Sequence, residues 1–174
     1  MWLLSTGGVL YAPPPPKRNA DVRDVWVSST LRVERVSDRA PRMSGEIHGY
    51  SARLYGTWSD PQMAPSAYML LGTGDMSDVK AVTMYVRGKG KYRVQVFLQK
   101  GERLHMTQTV VEATDSWSPV SISTAHTIEV IGGLMERPDV KLPFKVVILP
   151  YMDKETGEVS RAFDLYVSPV SVVR

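Results

Sequence analysis

Alternation of apolar and polar residues is clearest in the stretch VWVSSTLRV, residues 25–33. Polar residues occupy the even positions from Ser28 to Glu34. A period of two places the apolar side chains on one face of an extended chain. The stretch therefore predicts a half-buried strand. Its apolar face consists of Val25, Val27, Leu31 and Val33.

Three further strand-like runs follow one another in the middle of the chain. They cover residues 79–87, 91–99 and 103–112, and the short segments GKG and KGE separate them. Short connections that contain glycine between β-branched runs are typical of β-hairpins. The sequence therefore predicts two hairpins here, with the tip of the first at residues 88–90.

The C-terminal third continues the strand pattern. The run VSISTAHTIEVI, residues 120–131, is rich in β-branched residues and ends before Gly132. The runs FKVVILPYM (144–152) and VSRAFDLYVSPVSVV (159–173) flank the segment DKETGE. Because this segment contains a glycine and is short, we expect the two runs to pair as a final hairpin.

One segment, SDPQMAPSAYMLLGTGD (59–75), carries the signals of a short helix. Asp60 suits the N-cap position, Pro61 suits the first turn, and Gly72 suits the end of a helix. The preceding stretch, residues 46–58, is ambiguous between a short helix and strands, since its glycines disfavour a long helix.

These patterns together predict a mostly β fold of the α+β class. We expect an antiparallel sheet or sandwich-like domain with one or two short helices and an extended N-terminal arm. The length of 174 residues suits one domain with a sizeable core. The globular domain is expected to span residues 22–174, and residues 1–21 are expected to form a flexible, proline-rich arm.

The composition is that of a globular protein with a mildly basic charge. Hydrophobic residues make up 43% and charged residues 22% of the chain. A net charge of +3 permits contact with nucleic acid or an anionic membrane without requiring either. The absence of cysteine excludes disulfides and thiolate metal sites. The apolar start, Trp2 to Leu4, is too short for a signal peptide, so we expect any membrane association to be peripheral.

The sequence carries no catalytic or metal-binding signature. His48, His105 and His126 lack the spacing of metal ligands, and neither a nucleophile elbow nor a thiol is present. The segment GTGDMSD, residues 72–78, lacks the ending of a phosphate loop and is expected to be a plain turn. We therefore expect a protein that is not an enzyme, with no catalytic residue, metal, cofactor or small-molecule substrate.

A basic cluster lies at the predicted tip of the first hairpin. A hairpin tip would project these cations into water, where they would contact nucleic-acid phosphates or anionic lipid headgroups. Lys17 and Arg18 offer a second basic site on the arm. A solvated loop is the alternative interpretation of the cluster. Its members are Arg87, Lys89, Lys91 and Arg93, with no acid among them.

Three stretches carry a family resemblance. The run YAPPPPK, residues 11–17, precedes the β-rich body, although no tyrosine completes a PPxY motif after the prolines. APSAY (64–68) is close to a PSAP element with Tyr68 in place of the final proline, and DVWVSSTLRVERV (24–36) reads as an amphipathic strand. In this layout the chain resembles the small matrix proteins of negative-strand RNA viruses, of the rhabdovirus type and similar in size to those of plant-infecting members.

The resemblance implies a structural viral matrix protein that self-assembles and bridges the nucleocapsid to the inner face of the envelope. The implied partners are other copies of the chain, the viral nucleocapsid, an anionic membrane surface and RNA. The implied locations are the virion beneath its envelope, the host cytoplasm and the inner membrane surface. In that family an N-terminal arm docks onto a neighbouring domain, and a stiff proline segment loses little entropy on docking. The corresponding self-association residues are Tyr11, Pro13, Pro14, Pro15 and Pro16.

A β-rich module that binds single-stranded nucleic acid, such as a viral movement or silencing protein, is the alternative function. Aromatic side chains would then stack on bases beside the four cations of the basic cluster. The aromatic residues placed for this role are Tyr85, Tyr92 and Phe97.

Overall fold

A computed structural model describes most of the chain. The described residues are 25–28, 30–58, 64–130, 141–152 and 162–174. The N-terminal arm lies outside them, together with its predicted self-association residues, Lys17 and Arg18. The domain boundary predicted at residue 22 lies outside them as well. The roles assigned to the arm therefore stay predictions.

The described residues form twelve β-strands and no helix. Every pairing between these strands is antiparallel. The predicted antiparallel β fold is therefore confirmed. The strands are β1 Val25–Val27, β2 Leu31–Arg35, β3 Glu46–His48, β4 Ala52–Thr57, β5 Ala67–Thr73, β6 Ala81–Lys100, β7 Arg103–Ala113, β8 Ser118–Ser123, β9 Ile128–Glu129, β10 Pro143–Pro150, β11 Ala162–Val167 and β12 Val170–Val173.

The short helix predicted up to Gly72 is wrong for the described residues, because Ala67–Thr73 is strand β5. Ala67 and Met69 are buried in the core, whereas Tyr68 is half-buried on the opposite face. Both faces of this strand carry apolar residues, so the period of two is hidden in the sequence. Residues 59–63, which hold the predicted N-cap, lie outside the described residues.

The strands form two sheets that share strand β6. Sheet 1 has the order β1, β5, β10, the C-terminal half of β6, β7 and β9. Sheet 2 has the order β2, β4, β11, the N-terminal half of β6 and β8. Strand β12 also pairs with β6 in sheet 2, and β3 pairs with β12.

Strand β6 passes from one sheet to the other at Gly88 and Gly90. Both glycines have positive φ angles, 139° and 101°, which bend the strand where most residues could not. The hairpin predicted at residues 88–90 is therefore wrong, because the chain bends there without reversing. The second predicted hairpin is confirmed: Lys100 pairs with Arg103 across a two-residue turn, and Gly101 has a φ of 64°.

The final hairpin predicted from residues 144–152 and 159–173 is also wrong. Strand β10 pairs with residues 92–97 of β6 in sheet 1, whereas β11 pairs with residues 86–89 of β6 in sheet 2. The two runs therefore lie beside different halves of one long strand. The single strand predicted over residues 25–33 is likewise divided, into β1 of sheet 1 and β2 of sheet 2.

The inner faces of the two sheets enclose one hydrophobic core. Where the sheets meet, the rings of Tyr92 and Phe163 pack edge to face with their centroids 4.8 Å apart. The buried Tyr92 hydroxyl donates to the carbonyl of Lys89 and accepts from the backbone N–H of Asp164 at 3.1 Å. Burial raises the pKa of Tyr92 to about 12. These contacts fasten the bend of β6 to strand β11.

Candidate ligand-binding face

Sheet 1 presents an outer face whose residues follow from the strand register. Residues directly opposite each other on neighbouring strands point to the same side of a sheet. Trp26 on β1 therefore shares a side with Tyr68 on β5. The line of opposite residues continues from Tyr68 across β10 and β6 to β7. We call this line the first row. It consists of Trp26, Tyr68, Val147, Gln95 and Gln108.

A second row runs beside the first on the same face. Two of its apolar side chains, Phe97 and Met106, are only 3% and 6% exposed, yet they lie outside the core between the sheets. The second row consists of Leu70, Lys145, Phe97, Met106 and Ile128. The outer face of sheet 1 thus has buried positions of its own.

Two polar residues are buried at the centre of this face. Gln95 is 2% exposed and Lys145 is 8% exposed. Burying an amide or an ammonium costs free energy that an apolar side chain would not. The centre of the outer face of sheet 1 is therefore polar as well as buried.

The first row combines an aromatic pair with an amide pair. The rings of Trp26 and Tyr68 are stacked, with centroids 6.1 Å apart and planes inclined by 19°. Gln95 Nε2 donates to Gln108 Oε1 at 3.1 Å. This bond leaves both N–H groups of the exposed Gln108 without a hydrogen-bond partner among the described residues. The row therefore offers ring faces and amide donors along one line.

Lys145 brings a positive charge to the centre of the face. Its Nζ lies 5.3 Å from the ring centroid of Tyr68 and 5.4 Å from that of Phe97. Both rings attract the ammonium group through their electron-rich faces. Burial nevertheless lowers the pKa of Lys145 to about 8. The buried charge therefore costs free energy of folding at neutral pH.

Lys145 is expected to make stability rise with pH between about 8 and its ordinary pKa of 10.5. In this window the folded state has released a proton that the unfolded state still binds, so folding is favoured as pH rises. The change amounts to about 3 kcal/mol over the window. Urea denaturation of the wild type and of Lys145→Met at pH 7, 9 and 10.5 measures it. The wild type should gain stability relative to the variant, and parallel pH profiles would contradict the prediction.

A cationic end adjoins the two rows where β6 begins its course through sheet 1. Lys91 and Arg93 lie on the same face as Gln95 because they alternate along β6. Lys91 Nζ is 4.8 Å from the ring centroid of Tyr151, and Arg93 Cζ is 5.8 Å from it. We call Lys91, Arg93 and Tyr151 the cationic end of the outer face of sheet 1.

The outer face of sheet 2 is also rich in arginine and aromatic residues, but the two arginines beside its tyrosine rings are paired with carboxylates of the chain. Arg53 lies 4.7 Å from the ring centroid of Tyr55, and its Nε donates to Asp164 Oδ1 at 3.0 Å. Arg87 lies 3.8 Å from the ring centroid of Tyr166 and bonds to Asp38. These contacts join β4 to β11 and join β6 to the loop after β2. A structural role therefore explains why arginine and tyrosine residues lie together on this face.

The four residues of the predicted basic cluster do not share a hairpin tip. Arg87 lies on the outer face of sheet 2, Lys89 is exposed at the bend, and Lys91 and Arg93 lie on the outer face of sheet 1. The predicted grouping is wrong because the glycines around Lys89 bend the strand without turning it back. Contact of these cations with membrane or nucleic acid stays a prediction.

Two of the aromatic residues placed for base stacking are buried. Tyr92 is 0% exposed and Phe97 is 3% exposed. Neither ring is available to a nucleic-acid base, so this part of the alternative prediction is wrong. Tyr92 belongs to the core because it alternates with Lys91 and Arg93 along β6 and so lies on the inner face, where its ring packs against Phe163.

The sequence patterns indicated Lys91 and Arg93 of the candidate site but not the residues of the first row or Lys145. The available signal was a single polar residue inside an apolar run: Lys145 in PFKVVILP and Gln95 in VQVFL. Such interruptions are worth noting because a strand covered on both faces is expected to be apolar throughout. Trp26 and Tyr68 gave no such signal, since their pairing depends on the register of β1 and β5.

The remaining sequence features have local roles. His48 Nε2 lies 2.9 Å from Glu46 Oε1, and His105 Nδ1 lies 3.0 Å from Thr127 Oγ1. Among the described residues, no group of three His, Asp or Glu side chains is placed to hold a metal ion. Asp75 accepts from the backbone N–H groups of Ser77 and Gly101 at 3.2 and 2.9 Å. Its contacts are those of the turn predicted for residues 72–78.

The pKa of Asp75 is lowered, chiefly because its carboxylate accepts a hydrogen bond from the Ser77 hydroxyl.

The part of the chain that the structure describes contains no helix with the length and apolarity needed to cross a membrane.

Comparisons with solved structures identify the fold. The family 11 carbohydrate-binding module of a cellulosomal cellulase from Clostridium thermocellum is 11% identical, with a TM-score of 0.52 over 86% of this chain and 85% of that one. The CBM22-2 xylan-binding domain from Paenibacillus barcinonensis is 11% identical, with a TM-score of 0.49 over 87% and 91% of the two chains. No protein-family model and no curated protein sequence matches this chain. The first structure shows that the two sheets form a β-sandwich of the type found in that module.

Proposed function

We propose that this chain is a non-catalytic module that binds a carbohydrate chain on the outer face of sheet 1. The observation that carries the proposal is the first row, in which an aromatic pair and an amide pair lie on one line across five strands. Neighbouring strands are about 4.8 Å apart, so the row is about 19 Å long. A linear ligand of several units suits this length better than a single small molecule.

The residue types of the first row match the chemistry of sugars. The C–H groups on one side of a pyranose ring are apolar and pack on the electron-rich face of an aromatic ring. The hydroxyl groups around the same ring both donate and accept hydrogen bonds. Amide side chains offer both functions. The exposed amide of Gln108, whose oxygen accepts from the buried Gln95, is placed for this role at the far end of the row. Rings at one end and amides at the other therefore suit successive sugar units.

The fold supports the same ligand class. The similar structure with a TM-score of 0.52 is described as a carbohydrate-binding module. At 11% identity this likeness concerns the fold alone. The proposal therefore depends on the first row.

Binding to a panel of immobilised ligands tests the proposal. The full chain is passed over β-glucan, xylan, galactan and starch, over anionic phospholipid vesicles and over single-stranded RNA, with bound protein measured at physiological salt. We expect retention on at least one polysaccharide, with release by soluble oligosaccharide of the same type. Failure on every polysaccharide contradicts the proposal.

The other columns of the panel address the viral matrix and nucleic-acid predictions. Retention on vesicles or RNA without any retention on polysaccharide would overturn the carbohydrate proposal in favour of one of them. Salt is the further criterion, because contact through phosphate groups weakens steeply as salt rises. Stacking of sugars on Trp26 and Tyr68 should respond little to salt.

A further inference from the structure

We propose that the carbohydrate bound on the outer face of sheet 1 carries carboxylate groups, which Lys91 and Arg93 bind at the cationic end. This inference rests on the proposed function and names the class of its ligand. The chemistry implied is that of a polysaccharide containing uronic acid units, with aromatic contacts for the sugar rings and cations for the acid groups.

The backbone holds the two cations close together. Tyr151 N donates to the carbonyl of Lys91 at 2.9 Å, which extends the pairing of β10 with β6 by one residue. The Tyr151 ring thereby lies beside both side chains, 4.8 Å from Lys91 Nζ and 5.8 Å from Arg93 Cζ. The two positive groups beside this ring repel each other, and a nearby anion would offset that repulsion.

The described residues do not supply that anion. Glu112 stands directly opposite Lys91 in the register, yet neither Lys91 nor Arg93 forms an ion pair with a described carboxylate. Arg93 Nε is buried and has no hydrogen-bond partner among the described residues. By contrast, Arg53 and Arg87 on sheet 2 are both paired with carboxylates. The cationic end is therefore the part of this surface suited to an external anion.

The spacing along β6 connects the cations to the first row. Arg93 lies two residues from Gln95, a distance of about 7 Å along a strand. A long arginine side chain can reach a substituent on a sugar ring that lies over this part of the first row. Lys91 lies a further two residues away and can reach the next acid group or the same one from its other side. The guanidinium of Arg93 also suits the planar carboxylate better than an ammonium does.

The charge pattern favours an acidic polysaccharide over nucleic acid. Among the described residues, two exposed or half-exposed cations lie at the cationic end, with Glu112 opposite Lys91 at its edge. A single nucleic-acid strand presents one phosphate for every 3.4 Å or so of helix axis, and such a ligand selects a continuous basic surface. A uronate chain presents at most one charge per sugar ring, and its rings match the aromatic and amide residues of the first row.

The test compares an uncharged β-glucan oligosaccharide with the same oligosaccharide oxidised at C6 to carboxylate. Calorimetric titration of the full chain at low salt should show the oxidised ligand binding about tenfold more tightly, since each exposed ion pair contributes up to about fivefold. Raising the salt should remove most of this difference. Equal affinities overturn the inference and leave the proposed function intact, whereas absence of binding to either ligand and to the polysaccharide panel overturns both.

Variants with equal charge changes locate the effect. In Lys91→Gln/Arg93→Gln the ratio of the two affinities should fall to about one. In the control Arg32→Gln/Lys80→Gln, which removes two exposed cations away from this face, the ratio should stay at about ten. Equal loss in both variants would show a general charge effect and overturn the inference. Equally tight binding of polyaspartate would also overturn it, because that polymer has carboxylates without sugars.

Discussion

Gly88→Ala is expected to lower the free energy of unfolding by more than about 3 kcal/mol, or to prevent folding. Gly88 has a φ of 139°, which residues with a Cβ rarely adopt. An added Cβ would lie 2.3 Å from the carbonyl oxygen of Asp164 and 3.1 Å from Cα of Leu165. Both atoms belong to the backbone of β11, so no side chain can move to relieve the contact. Chemical denaturation followed by circular dichroism measures the loss.

Gly49→Ala is the matched control for this substitution. Gly49 also has a positive φ, 80°, but an added Cβ would meet no atom within 4 Å. Only the conformational strain of a left-handed residue then applies, which costs about 1–2 kcal/mol. If Gly88→Ala is no more destabilising than Gly49→Ala, strand β6 does not join the two sheets through a close approach to β11.

Tyr68→Ala is expected to weaken carbohydrate binding at least about 30-fold, the effect typical of a central aromatic contact. Tyr68 stacks on Trp26 and lies beside the ammonium group of Lys145. Its removal therefore deletes one ring of the aromatic pair and loosens the other. Because Tyr68 is half-buried on the outer face, the core between the sheets keeps its packing. Titration with the polysaccharide retained in the panel measures the affinity.

Tyr55→Ala supplies the control on sheet 2. Tyr55 is also a half-buried tyrosine on an outer face, with Arg53 4.7 Å from its ring centroid. We expect its substitution to leave carbohydrate affinity within about twofold. Tyr55 lies on the other sheet, and residues that are distant and share no partners act independently. A loss of affinity only in Tyr55→Ala would place the ligand on sheet 2. Similar losses in both variants would show that binding does not depend specifically on the outer face of sheet 1. Either result would contradict the proposed site. Thermal melting of each variant separates loss of binding from loss of folding.

The sequence predicted the strands better than their partners. GKG and KGE look alike as short segments with glycine, yet the first bends β6 and the second closes a hairpin. The two segments differ in the strands that pair beside them. After GKG, strand β6 continues forward and pairs with β7 and β10, so the chain does not reverse there. A strand of 20 residues is far longer than usual, so local patterns favour two strands instead.

The candidate site was harder to predict than the fold because it consists of residues brought together by register. Trp26 and Tyr68 are 42 positions apart in the chain, and Lys145 comes from a third region. Periodicity shows that each side chain has a face but does not show which strands lie side by side. The basic cluster had the opposite problem: its residues are close in sequence, but the bend divides them between two surfaces.

Nuclear magnetic resonance of the full chain, titrated with an oligosaccharide of the type retained in the panel, shows directly whether the outer face of sheet 1 binds carbohydrate. The indole N–H of Trp26 reports on the outer face of sheet 1, and that of Trp117, beside Arg87, reports on sheet 2. The side-chain amides of Gln95 and Gln108 are further reporters of the first row. We expect the signals of Trp26 and the two glutamines to shift together while the signal of Trp117 stays unchanged. Shifts confined to Trp117, or no shift in any of these signals at saturating oligosaccharide, would contradict this expectation.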